Sequence, residues 1–222
     1  MNKISPLATV SPNAKLGDNI EIGPYAYIDD NVEIGDNVTI RECATINRGT
    51  KASGKGVTKV GSNTLIMSYV HIAHDCVVGE HCILVSYVGI AGETEVADWA
   101  IIGGGTKAHQ FSRIGMHAMV GGASRINNDV PPFALCGREP LCYCGVNIVG
   151  LRRRGFSSEV IRNIQDIYNT IYFEGLNITD GCAKVEAGFP PSMERDVILD
   201  FIRGSKRGII RANDSKDHTD FE

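Results

Sequence analysis

The stretch LGDNIE, IGPYAY, IDDNVE, IGDNVT, IRECAT, residues 16–45, decides the architecture, because cut into sixes every piece opens on an aliphatic residue. Worked outward, the same beat falls on Ile4, Val10, Leu16, Ile22, Ile28, Ile34, Ile40 and Ile46 without a miss. After the polar segment NRGTKASGKGVTK it resumes at Val60, Ile66, Ile72, Val78, Leu84, Ile90, Val96, Ile102, Ala108, Ile114, Val120 and Ile126, where only Ala108 is undersized. A period of six fits neither the helical repeat nor simple strand alternation. It fits a mainly β fold, a parallel β-helix in which each hexad forms one short strand and the turn into the next. With three hexads to a triangular coil, residues three hexads apart stack on one face at about 4.8 Å, the ordinary strand spacing. The aliphatic residue then fills the prism, while Gly, Asn and Asp serve the tight corners.

Two features interrupt the prism. Residues 47–59, rich in Gly, Lys and Thr, break the phase between Ile46 and Val60 and read as a loop ejected from a corner. Beyond Asp129 the hexads stop at VPPF, and from about Leu151 the pattern becomes helical. SSEVIRNIQDIYNTIYF carries apolar residues at helical spacing behind a candidate N-cap, Ser157. SMERDVILDFIRG reads as a second helix and TDGCAKVEAG as a weaker one. The division is a hexapeptide-repeat β-helix over 1–132, a connecting segment over 133–150, a helical domain over 151–212 and a polar tail over 213–222.

Bulk properties narrow the function classes. A hydrophobic content of 43% with 22% charged residues is that of a soluble globular chain. No apolar run reaches bilayer length, and MNKISPLATV lacks the apolar core of a signal peptide. The net charge of -4 gives no reason to expect nucleic acid as the main partner. Cys43, Cys76, Cys82, Cys136, Cys142, Cys144 and Cys182 show no paired CxxC spacing, which disfavours zinc. Their spread favours reduced, mostly buried thiols in a cytoplasmic protein.

The chemistry concentrates in SYVHIAHDCVVGE, residues 68–80. Ile72 is the aliphatic position, so His71, His74 and Asp75 are expected outside the core, close to a corner. The coil rule places Gly92 and then Gln110 above His74, and His109 in the neighbouring column. His74, Gly92, His109 and Gln110 therefore converge on one outer surface. Three readings compete. A zinc site would use His71, His74 and His109, with Asp75 as a further ligand, but His71 falls in a different column. Surface histidines without function are the second. The third is general-base catalysis: a histidine oriented by a carboxylate, beside a glycine whose N–H approaches an oxyanion. Acyl transfer to a sugar hydroxyl needs that set and no more.

HIAHDCVVG, AIIGGGTKAHQF, IGMHAMVGG and above all GVNIVGLRRRGF resemble the acyl-carrier-protein-dependent UDP-N-acetylglucosamine O-acyltransferases of lipid A biosynthesis. TINRGTKASGKGVTKVG resembles that family's loop before its active-site coils. The resemblance implies a left-handed parallel β-helix with a small C-terminal helical domain, assembled as a homotrimer with sites between neighbouring prisms. It implies transfer of a 3-hydroxyacyl chain from acyl carrier protein to the glucosamine 3-hydroxyl of UDP-N-acetylglucosamine. No cofactor and no metal are implied beyond the phosphopantetheine that carries the donor.

Residue by residue, the resemblance makes His74 the general base, Asp75 its orienting carboxylate and Gly92 the oxyanion-hole position. His71, His109 and Gln110 match nucleotide-sugar contacts; Asn147, Arg153 and Arg154 match the nucleotide- and phosphate-binding end. Gly122 matches the position whose side-chain size helps set acyl length. The acidic carrier would meet a basic cluster of Arg152, Arg153, Arg154, Arg162, Lys206, Arg207 and Arg211. Glu93 stands where relatives often have histidine, and Val149 where they often have an acidic residue. Between IGDNVTI and RECATINRGT, relatives usually carry further hexads with an aspartate and a lysine that touch substrate. Two alternatives stay open: a catalytically impaired trimeric scaffold binding acyl carrier protein or nucleotide sugar, and a coenzyme-A-dependent acetyltransferase on the same fold.

Overall fold

The computed structural model describes residues 1–50 and 55–212; the polar tail and the centre of the ejected loop lie outside the described residues. The hexads form a triangular prism of three parallel sheets, each built from every third strand. The first face runs from Lys3–Ile4 to Met119–Val120, the second from Thr9–Val10 to Arg125–Ile126, the third from Lys15–Leu16 to Arg113–Ile114. Ile72 pairs with Ile90 and Ile90 with Ala108, so the aliphatic residues stack in columns down the interior. Ile28, Ile40, Ile46, Ile66, Ile72 and Ile102 are fully buried. Each such side chain contributes about 1.5–3 kcal/mol relative to exposure, summed over neighbouring coils. Ile4 departs from the pattern: in the first coil it is 43% exposed.

A second inward residue, two places before the aliphatic one, is small: Val70, Cys76, Cys82, Val88, Thr94, Ala100 and Thr106 are all buried. Cys76 and Cys82 fill this role as compact apolar groups, and burial pushes both thiols up to about 12. Thr94 and Thr106 point their hydroxyls at the Ala91 and Gly121 carbonyls, so polar side chains enter the core without an orphaned donor.

The corners hold a finding that composition alone does not suggest. The left-handed backbone position is taken by Asn19, Asn37 and Asn63, as expected, but also by Tyr69, Tyr87, His81, Trp99 and His117. A bulky residue there costs about 1–2 kcal/mol. Stacking along the column offsets it, since rings one coil apart meet face to face at about 0.5–1.5 kcal/mol per pair. Tyr69 and Tyr87 stack at 5.0 Å, and His81, Trp99, His117 and Phe133 form a continuous ladder.

Past the last hexads the chain does not merely connect. Ala134–Gly137 continues the first face in parallel register and folds back as an antiparallel hairpin with Cys142–Val146. Helix α1 (Ile148–Arg153) follows, three residues before the position expected from periodicity. Then come α2 (Ser158–Phe173), capped by Ser157, α3 (Ile178–Gly188), capped by Asn177, and α4 (Met193–Arg203), capped by Ser192. Tyr168, fully buried on α2, donates its hydroxyl to the Pro132 carbonyl at 2.6 Å and roots the helices on the prism end. The chain then returns to Asp129, whose buried carboxylate accepts from Arg113 N and Ser205 Oγ. Among the described residues no helix is long and apolar enough to cross a membrane.

Candidate active site

His74 and Asp75 occupy the corner between the second and third faces, just after the strand His71–Ile72. His74 Nδ1 lies 2.9 Å from Asp75 Oδ2, and the imidazole remains 38% exposed. Asp75 lies at the corner, outside the apolar core, as expected, yet it is 0% exposed, which the sequence did not suggest. The reason is the ejected loop, whose residues Thr50 and Gly56 reach over it. Thr50 donates its N–H and its hydroxyl to the Asp75 carboxylate, and Gly56 adds a second backbone N–H at 3.0 Å. A buried carboxylate is costly unless hydrogen-bonded, and these donors, with His74, satisfy it. The Asp75 N–H in turn donates to the buried Thr58 hydroxyl.

Gly92 sits one coil above, directly against the His74 ring. A Cβ there would overlap His74 Cε1 and Nε2 and stand 3.0 Å from Cδ2, so the ring position requires glycine. The Gly92 carbonyl accepts from Phe111 N, while among the described residues its N–H enters no backbone hydrogen bond. His74 Nδ1 faces the carboxylate, and the ring edge carrying Cε1 and Nε2 lies against Gly92.

The remaining candidates distribute over the prism. His109 and Gln110 lie at the same corner one coil further; His109 is exposed and its Nδ1 lies 3.0 Å from the Gln110 carbonyl. That carbonyl also accepts from Arg207 Nη1. His71 stands on the second face, bonded through Nδ1 to Thr45 Oγ1 at 2.7 Å. Burial and the Lys107 ammonium push its pKa down. Lys107 itself lies across Gly89 and donates to the Tyr87 carbonyl. Gly122 lies at the corner between the first and second faces, facing the Gly104 carbonyl.

Asn147, Arg153 and Arg154 gather elsewhere, beside the corner between the third and first faces. Asn147 is buried and caps α1 through Gly150 N, while donating Nδ2–H to the His117 carbonyl. Arg154 lies over the Trp99 ring and reaches His117 Nδ1 at 3.3 Å; Arg153 is exposed. Within one chain these three do not meet His74. The residues that sequence reasoning missed are Thr50, Gly56 and Thr58 around Asp75, and Lys107 beside His71. A loop outside the six-residue period carries no register, so no sequence pattern could pair Thr50, Gly56 and Thr58 with Asp75; Lys107, by contrast, stands two coils from His71 in the same column, where the coil rule could have found it. Glu93, singled out as a departure, forms an ion pair with the loop's Lys55 at 3.4 Å.

Comparison with known proteins bears on this arrangement. Residues 129–210 match the family described as UDP N-acetylglucosamine O-acyltransferase, domain 2, and 13–48 and 58–92 match the bacterial transferase hexapeptide repeat. The acyl-[acyl-carrier-protein]–UDP-N-acetylglucosamine O-acyltransferase of Verminephrobacter eiseniae is 44% identical over 177 residues, covering 78% of this chain and 67% of that protein. The protein of the same name from Thiobacillus denitrificans is 40% identical over 172 residues, 78% of this chain and 66% of its own length. The aligned part thus spans about two thirds of these relatives. The solved UDP-N-acetylglucosamine acyltransferase of Bacteroides fragilis shares 43% identity at a TM-score of 0.83, covering 94% of this chain and 100% of that one. That of Francisella novicida shares 32% identity at a TM-score of 0.81, covering 99% of each chain. With both halves of the fold matched and these identities sustained over most of its length, the chain belongs to the UDP-N-acetylglucosamine O-acyltransferase family.

Proposed function

We propose that this protein transfers a 3-hydroxyacyl chain from acyl carrier protein to the 3-hydroxyl of UDP-N-acetylglucosamine, the opening step of lipid A biosynthesis. The observation that carries the reading is the triad of buried Asp75, His74 bonded to it through Nδ1, and the His74 ring resting on the Cβ-free Gly92. In the scheme, His74 Nε2 removes the proton of the sugar hydroxyl as its oxygen attacks the thioester carbonyl. The resulting oxyanion accepts from the Gly92 N–H. Collapse breaks the carbon–sulfur bond, and the His74 imidazolium returns its proton to the departing phosphopantetheine thiolate. The products are the sugar ester and the free thiol, and the cycle needs no metal ion or further cofactor.

His71, on the strand before the base, and His109 and Gln110, at the same corner of later coils, are assigned to the nucleotide sugar. Asn147, Arg153 and Arg154 are assigned to its nucleotide and phosphate end. Because they flank a different corner of the prism from His74, a second copy must bring them to the base, which supports a homotrimer with sites between prisms. Gly122 is assigned to acyl-length selection, and the exposed basic residues of the helical end to docking the acidic carrier.

The test is His74→Ala, assayed with UDP-N-acetylglucosamine and 3-hydroxyacyl carrier protein, with acetyl-CoA as the comparison donor. Loss of the general base is expected to cost about 100-fold or more in turnover, with the assembly intact because the side chain projects from the prism. Near-normal turnover would remove His74 from the mechanism, and preference for acetyl-CoA would overturn the donor assignment.

A further inference from the structure

We infer that the two described ends of the ejected loop are part of the catalytic apparatus and that Thr50 is a positioning residue, holding Asp75 and through it the His74 imidazole. The inference rests on the proposed role of His74 as base.

The corner that carries Asp75 does not bury its side chain unaided. Asp75, Glu93 and Phe111 occupy the same left-handed position in successive coils, yet Asp75 is 0% exposed and Phe111 54%. The difference is the loop. Around Asp75, Thr50 N approaches Oδ1 and Oδ2 at 3.0 and 2.9 Å, Thr50 Oγ1 approaches Oδ2 at 2.8 Å, and Gly56 N approaches Oδ1 at 3.0 Å. The loop also replaces the ordinary ladder bond at this corner. Glu93 N and Phe111 N donate to the His74 and Gly92 carbonyls one coil below, whereas Asp75 N donates to the Thr58 hydroxyl where the loop re-enters the prism.

The phase break is therefore built around Asp75, the one carboxylate that, among the described residues, touches His74. Oδ2, the oxygen that receives the His74 Nδ1–H, is the oxygen bonded by the Thr50 hydroxyl. A carboxylate whose rotamer is locked by its own donors presents a fixed acceptor to the imidazole, which is how a supporting residue holds a reacting one in place. Lys55 bridges to Glu93 and Glu95 on the next coil and pins the loop across the corner. Lys55, Asp75 and Glu93 are the charged groups that act on the neighbouring Cys76 thiol, which burial pushes up to about 12 and keeps neutral.

The hydroxyl is tested by Thr50→Val and Thr50→Ala, which remove it and keep the backbone N–H, against Thr50→Ser, which restores it. We expect Val and Ala to lower kcat about 10-fold, with KM for both substrates unchanged and the serine variant close to wild type. The donor bond draws charge from the carboxylate. Without it the Asp75–His74 bond strengthens, the imidazole becomes more basic, and the acid limb of the kcat profile moves to higher pH. Equal losses in Val, Ala and Ser, or a KM change without a kcat change, would show a purely structural role and overturn the proposal. So would unaltered kcat and pH profile in Ala, the less bulky of the two, should Val fail to fold. His74→Ala, run in parallel, separates the two claims. If it is inactive while Val and Ala are normal, the positioning role fails and the base stands; if it is active, the base itself falls.

Discussion

Adding one methyl group at Gly92 is expected to disable the site without unfolding the prism. The Cβ of Gly92→Ala would overlap His74 Cε1 and Nε2, the ring edge proposed to face the substrate hydroxyl. Restoring ordinary carbon contact of about 3.5–4.0 Å requires the imidazole to move by about 1 Å. The ring is 38% exposed and has room to swing outward, so relief comes from the side chain rather than from the backbone. Neither is there backbone strain, since Gly92 is not among the glycines with positive φ. A 1 Å misplacement costs on the order of 100-fold in rate, equivalent to about 2.7 kcal/mol of barrier. The swing also stretches the His74–Asp75 bond. The assay is release of free carrier thiol under saturating UDP-N-acetylglucosamine, with thermal melting and sedimentation as controls. We expect kcat down about 100-fold, a melting temperature within a few degrees of wild type, and an unchanged assembly. Normal turnover with the alanine in place would mean that the ring against Gly92 is not where the proton is taken.

His117, stacked between Trp99 and Phe133 and facing the Arg154 guanidinium, has its pKa pushed down to about 4, first by burial and then by that charge. Its folded value lies below the ordinary 6.5, so between those limits only the unfolded chain binds the proton. Stability should therefore fall as pH drops from about 6.5 to about 4, and His117→Phe should flatten that decline in urea midpoints; an identical pH slope in both proteins would refute it. For donor docking, six of the seven basic residues at the helical end are exposed and Arg154 is half-buried. The apparent KM for acyl carrier protein should rise with salt as charges are screened, and a flat response would argue against electrostatic docking.

Much of the architecture was legible because a solenoid turns spatial neighbours into sequence periodicity. Ile72, Ile90 and Ala108 could be stacked on paper, and Gly92 placed over His74, since each coil repeats the last. The helix starts at Ser157 and Ser192 were legible for a local reason: a side chain caps the backbone three residues on. What periodicity cannot reach stayed hidden. The hairpin at Ala134–Gly137 and Cys142–Val146 belongs to no hexad, so it read as a connection.

The sequence by itself determined the prism, its three columns of buried side chains and the corner where His74, Gly92, His109 and Gln110 meet. Only the tertiary structure decided that Asp75 is buried, that Thr50, Gly56 and Thr58 enclose it, and that Asn147 and Arg154 stand at a different corner from the base. The first set follows from a repeat whose geometry is the same at every coil. The second depends on where an irregular loop and a helical cap come to rest, which is settled by the donors a buried carboxylate requires and by the aromatic ladder on which Arg154 lies.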